Sequence, residues 1–272
     1  MRATQWCEME AAFFDLDKTI IARSGPLALG RSFMREGLIG RSTLLKSMYA
    51  QFVFQLMGAD EAKMDRVRAE AAKLTAGWEV DKVKTVVAEV LEEVISPFMY
   101  AEALELLHDH REAGRFICIV SSSPEEIVEP LARMLHVDRW IATKSVIQDG
   151  KFTGELDFYA YGPHKAEAMR DLADELGIDL TASFAYSDSS TDLPMLEAVG
   201  HPVAVNPDRE LKRTAAAREW QVRWFRNPVQ LRDRLRRPES TAANGALIAV
   251  MVAAALVAWW LARKTVERGR RS

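Results

Sequence analysis

The chain has 272 residues, 49% of them hydrophobic and 28% charged, and carries a formal net charge of -3. This is a globular composition, with apolar residues enough for one large or two modest domains. A charge so close to neutral gives no general case for nucleic-acid binding, and none is expected.

The first apolar run, 11–14, ends in Asp15-Leu16-Asp17-Lys18-Thr19. If the run is a buried strand, side chains alternate across it, so Asp15 and Asp17 point the same way. Paired carboxylates at a strand end call for a cation or hydrogen bonds. Two readings stand: a strand followed by an acidic turn, or a divalent-metal or acid/base site at the mouth of a sheet. Residues 25–95 then read as helical, with segments 26–39, 42–57, 60–75 and 80–95 punctuated by Gly37, Gly40, Gly58 and Gly77. No strand pattern interrupts the block, so it reads as an all-helical insertion.

From Pro97 the chain alternates helices with short apolar runs. Helices are expected at 100–113, 125–135, 164–176, 194–199 and 209–218. Strands are expected at 116–120, 140–146, 152–158, 183–186, 202–205 and 220–225. The Asp149-Gly150 pair predicts a tight turn between the second and third of these. Such alternation argues for a Rossmann-like three-layer α/β core, a parallel sheet with helices on both faces. Cys118 lies inside an apolar run and reads as core; nothing pairs it with Cys7, so a reducing compartment is the simpler assumption.

The C-terminus changes character. Residues 242–262 carry no charge, span about 30 Å as a helix, and end with Trp259 and Trp260 before Arg263 and Lys264. The expected division is core at 8–21 and 97–237, helical cap at 22–96, linker at 238–245, transmembrane helix at 246–262 and basic tail at 263–272. A buried Ala-rich helix is the competing reading of the apolar segment. No basic n-region with an apolar h-region opens the chain, so a single late span leaves the large domain in the cytoplasm, attached to the membrane. The Arg-rich run 218–237 reads as a solvated face ahead of lipid headgroups or nucleic acid. The five histidines share no ligand spacing, and only His164 lies near a motif.

A parallel sheet should bring three further strand ends beside Asp15 and Asp17. Val120 is followed by Ser121, Ser122 and Ser123, where a hydroxyl and free backbone amides leading into a helix suit an anion. Lys165 stands near the start of a helix, where an ammonium opposes the dipole unless an anion meets it. Tyr186 leads into Ser187-Asp188-Ser189-Ser190-Thr191-Asp192, whose hard oxygens suit Mg2+ better than zinc. Metal and lysine to neutralise phosphate, hydroxyl and amides to hold it, and a carboxylate to attack make a phosphoryl-transfer set.

In order, Asp15-Leu16-Asp17-Lys18-Thr19, Val120-Ser121, Lys165 and Asp188 with Asp192 resemble the four motifs of the haloacid dehalogenase superfamily. The helical insertion resembles the C1 cap of its phosphoserine-phosphatase-like branch, subfamily IB. The resemblance covers about residues 10–227. It implies a Mg2+-dependent phosphatase acting on a small phosphorylated substrate, with Asp15 as nucleophile and metal ligand and Asp17 as general acid, then base, its carbonyl also on the metal. It further implies Thr19 bracing the turn, Ser121 and the Ser122 amide on phosphoryl oxygens, Lys165 offsetting charge, Asp188 completing the metal shell, and Asp192 orienting the metal site or Lys165.

Departures bear on specificity. Lys18 stands where a small residue is frequent, Ser122 where Gly often follows the motif-two Ser, and Ser-Asp-Ser-Ser-Thr-Asp replaces Gly-Asp-Gly-x-Asn-Asp. Ser24 stands where a Glu would meet the ammonium of phosphoserine, so phosphoserine is not the expected substrate. Two alternatives remain: a membrane-associated lipid-phosphate phosphatase, and a catalytically inactive membrane-anchored binding protein.

Overall fold

A computed structural model describes residues 9–22, 73, 75–91 and 98–229. The predicted helices at 26–39 and 42–57, nearly all of that at 60–75, Ser24, Cys7 and the apolar segment at 242–262 lie outside the described residues. Among the described residues, no helix is long and apolar enough to cross a membrane.

Strand β1 (Ala11–Phe14) is buried at every position. An uninterrupted apolar run of this length is what a strand covered on both faces requires. It pairs in parallel with β3 (Phe116–Pro124) on one side and β6 (Phe184–Ser187) on the other. The sheet continues outward through β4 (Arg139–Gln148) to β5 (Lys151–Phe158), and on the other side through β7 (His201–Val205) to β8 (Gln221–Arg223). The order is β5-β4-β3-β1-β6-β7-β8. Every pairing is parallel except β4 with β5, which is antiparallel.

That edge departs from the parallel core, at the tight turn that Asp149-Gly150 predicts. The two-residue connection explains it: Asp149 and Gly150 both have positive φ, 50° and 73°, the geometry of a tight hairpin turn. The hairpin also receives the segment after Gly77. The Gly77 amide donates to the Phe152 carbonyl, Phe152 to Trp78, and Val80 to Gly150. Helix α1 (Val80–Val90) starts from this clasp, buries Val83, Val86 and Val87, and begins where predicted.

A correction concerns β2 (Met99–Tyr100), which pairs antiparallel with β9 (Pro228–Val229), two strands the sequence did not predict. Tyr100 therefore flanks helix α2 (Ala101–Glu112) rather than opening it. The Ala22 amide donates to the Phe98 carbonyl and the Tyr100 amide to the Ile20 carbonyl, so β2 is tied to the turn after β1.

Helices cover both faces of the central strands. On one face Phe13, Cys118, Val120 and Ala185 pack with Met169 of α4 (Pro163–Leu176), Met195 of α5 (Leu193–Glu197) and Leu211 of α6 (Arg209–Ala217). On the other, Phe14 stacks on Tyr186 at 4.5 Å and meets the edge of His110 from α2. Helix α3 (Glu125–Met134) follows β3, and Gly177 ends α4 in the left-handed conformation at φ 71°, where a side chain would be strained.

Candidate active site

Parallel register decides what stands beside Asp15. Phe14 is level with Ile119 on β3 and with Tyr186 on β6, so the residues that follow all three strands emerge at one edge of the sheet. The last rung is the Asp15 amide, which donates to the Tyr186 carbonyl at 2.9 Å. This edge is also where the strand order turns from one direction to the other, the usual crevice of open α/β sheets.

Lys165 reaches this edge from the first turn of α4 and is only 2% exposed. Its Nζ lies 2.8 Å from Asp15 Oδ1 and 2.9 Å from Asp192 Oδ2. Asp192 also accepts the Ser187 hydroxyl at 2.7 Å, so both partners of the lysine are themselves held. Thr19, fully buried, places its hydroxyl 3.4 Å from Asp15 Oδ2, a long contact. The amides of Ile20 and Ile21 both return to the Leu16 carbonyl and close the turn.

Lys18 sits in that turn at φ 62°, exposed, its Nζ 3.9 Å from Asp188 Oδ2. Asp188 is tied from behind: its carbonyl accepts the Asp208 amide at 2.8 Å. The Asp208 carboxylate accepts the amides of Ser190 and of Leu211, the second as the N-cap of α6. On β3, Ser121 is fully buried and its Oγ accepts the Ser123 amide, while the Ser123 hydroxyl donates to Asp17 Oδ2 at 2.6 Å. Ser122 faces outward, and its carbonyl accepts the Thr143 hydroxyl.

Two buried carboxylates thus meet one buried ammonium. Burial alone would push Lys165 down, but the flanking carboxylates of Asp15 and Asp192 hold it above the ordinary lysine range. Burial lifts Asp15 well above the usual carboxylate range, against the pull of Lys165 and with the push of Asp192 and Asp188. Those two directions oppose each other, and the lysine's is the firmer, since two carboxylates flank a single cation. Burial likewise pushes Asp188 up to about 7, relieved in part by Lys18 and reinforced by Asp192.

Of the predicted residues, Asp15, Thr19, Lys165 and Asp192 form one hydrogen-bonded group, with Asp17, Ser121 and Asp188 on the adjoining strand ends. Ser123, Ser187 and Asp208 were not predicted as site residues. Ser123 was detectable as the residue two beyond Ser121 and hence on the same side of an extended strand. Asp208 carried the mark of an N-cap ahead of a helical run. His164 pairs with Glu167 on the exposed side of α4 and takes no part.

The model of the haloacid dehalogenase-like hydrolase family matches residues 12–197, and the chain belongs to that family. Within it the chain is a phosphoric monoester hydrolase, with phosphoserine-phosphatase-like relatives and structural neighbours. An "inhibition of morphological differentiation protein" of Streptomyces azureus is 49% identical over 93% of this chain and 94% of its own. A phosphoserine phosphatase of Mycobacterium tuberculosis is 34% identical over 79% of this chain and 71% of its own. Among solved structures, a phospho-aspartyl intermediate analogue of phosphoserine phosphatase superposes with a TM-score of 0.57 at 18% identity, covering 84% of this chain and 98% of that one. That last likeness speaks to the fold.

Proposed function

We infer that the chain hydrolyses a small phosphate monoester through a phosphoaspartate formed on Asp15. The observation that carries this reading is the buried Lys165 ammonium between Asp192 and Asp15, with the second carboxylate of the β1 end, Asp17, two residues beyond Asp15. In the first step an Asp15 oxygen attacks phosphorus and the bond from phosphorus to the leaving oxygen breaks. Asp17 gives its proton to that oxygen. In the second step Asp17 takes a proton from water, the hydroxide adds to phosphorus, and Asp15 departs as a carboxylate with inorganic phosphate. Ser121 and the amide of Ser122 hold phosphoryl oxygens, and Lys165 balances their charge against Asp15.

The donor set fits Mg2+. It is all oxygen, and burial and mutual repulsion leave Asp15 and Asp188 short of positive charge. Among the described residues no cluster of three His, Cys, Asp or Glu side chains could hold an ion alone. The expected holders are instead two carboxylates, Asp15 and Asp188, with the main-chain carbonyl of Asp17. When bound, the ion neutralises phosphate and draws electron density from the phosphoryl group.

Asp15→Asn is expected to fold as the parent does and to abolish Mg2+-dependent turnover of aryl phosphates; undiminished turnover would sink the reading. A panel of small phosphate esters with phosphoserine among them addresses specificity. Ser24, outside the described residues, offers no carboxylate for an ammonium, so poor activity on phosphoserine is the expected result. Two helical regions complete the proposal: a cap at 22–96 over the crevice, and a membrane-spanning helix within the charge-free segment 242–262. The full chain should then sediment with membranes, and a chain ending near Pro238 should not. If both stay in the supernatant, the anchor is wrong.

A further inference from the structure

The hydroxyl of Ser123 has no part in the two steps above, yet it makes a short contact to a strand-end carboxylate of β1. Its Oγ donates to Asp17 Oδ2 at 2.6 Å, at the short end for a hydroxyl on a charged acceptor. Ser123 is 5% exposed, whereas its neighbour Ser122 is exposed, as alternation along β3 requires.

The backbone that carries this hydroxyl is fixed on three sides. The Ser123 amide donates to Ser121 Oγ at 3.1 Å. The preceding carbonyl, that of Ser122, accepts the Thr143 hydroxyl of β4 at 2.8 Å, and the same hydroxyl accepts the Ala160 amide. On the other side Pro124 stands level with Thr143, and its locked φ starts helix α3. A side chain on so constrained a backbone holds its own partner in place. Asp17 follows β1 in the turn closed by the Ile20 and Ile21 amides, and its carboxyl meets this hydroxyl there.

We propose that Ser123 is a positioning residue for Asp17, setting the direction in which that carboxyl meets the leaving-group oxygen. The inference rests on the reading of Asp17 as proton donor to the leaving group. It ties β3 to the reaction twice: Ser121 holds phosphoryl oxygens, and Ser123 aims the acid beside them. The run of serines in place of glycine after the second motif thereby acquires a use.

The test separates aim from general structure. Ser123→Ala is prepared in the full chain, and kcat/KM is measured with Mg2+ over a series of aryl phosphates of graded leaving-group acidity. A poorly aimed acid matters least for leaving groups that depart as stable anions and most for those that need the proton. General acid catalysis is worth on the order of a hundredfold or more, and misdirection should forfeit about tenfold of that at the poor-leaving-group end. At the good end the loss should stay within about threefold. The slope therefore steepens in Ser123→Ala and returns to the parent value in Ser123→Thr, which keeps the hydroxyl.

A uniform drop across the series, or no change, overturns the proposal. Asp17→Asn run on the same series tells the two readings apart. If it too leaves the slope unchanged, Asp17 is not the donor; if it steepens the slope while Ser123→Ala does not, only the role of Ser123 fails. Should Ser123→Ala not fold, Ser123→Cys keeps the size with a much weaker donor and is held to the same slope criterion.

Discussion

His110 shows how a single buried group shapes this molecule away from the reaction. It lies 4% exposed against Phe14 and Tyr186, with Nε2 2.8 Å from the Tyr186 hydroxyl and, among the described residues, no hydrogen-bond partner for Nδ1. Burial, helped by Arg115 and Arg223 and opposed by Asp109 and Glu10, pushes its pKa down to about 4. Between pH 6.5 and 4 the unfolded chain takes up a proton that the folded one refuses. Stability is therefore lost as pH falls through that window, by up to about 3 kcal/mol at its foot. Asp188, raised by burial, acts with the opposite sign as pH rises toward 7, so the test is a difference. Urea unfolding of His110→Phe should show a shallower decline from pH 6.5 to 4 than the parent; parallel curves would count against this account. At this scale the sequence was most informative about charge. Asp15, Asp17, Lys165 and Asp192 were legible because buried charges need partners, and each had a strand end or helix start to stand on. The partner of the Ser123 hydroxyl was not, because it depends on register between strands, and no period marks the pairing of Ser187 with Asp192 five residues on.

Among elements, the turn from α5 into β7 is a tight fit at Gly200. A Cβ added at Gly200 would lie 1.7 Å from the Thr181 carbonyl oxygen and 2.7 Å from its carbon. The Gly200 amide donates to the Leu180 carbonyl at 2.9 Å, so the backbone cannot move off without losing that bond. Gly200→Ala should lower stability by at least about 2 kcal/mol, read as a fall in the urea midpoint at unchanged slope. An unchanged midpoint would show that the neighbouring turn gives way freely. Helices α2 to α6 and the core strands were legible to within a few residues from apolar period and from Gly, Pro and Asp at their ends. Strands β2 and β9 were not: two residues carry no period, and their pairing joins parts of the chain far apart in sequence. The antiparallel direction of β5 was implicit in Asp149-Gly150, since a two-residue turn cannot join parallel strands.

For the whole molecule, alternating helices and strands announced a sheet with two covered faces, but not its order. The order follows from crossovers that run first toward β4 and then, after α4, toward β7, leaving β1 in the middle. That reversal gathers strand ends from residues 15, 121 and 188 at one edge, with a lysine contributed from 165. Reaction class was readable from sequence because the chemistry demands these groups together. Substrate was not: Ser24, the position that the resemblance ties to specificity, lies outside the described residues. The central claim is that phosphate passes through Asp15. It is tested most directly by quenching turnover of a labelled aryl phosphate in acid and locating the label. The account predicts label on Asp15, lost in Asp15→Asn and removed by hydroxylamine as an acyl phosphate should be. Turnover with no covalent label, or label on any other residue, would contradict it.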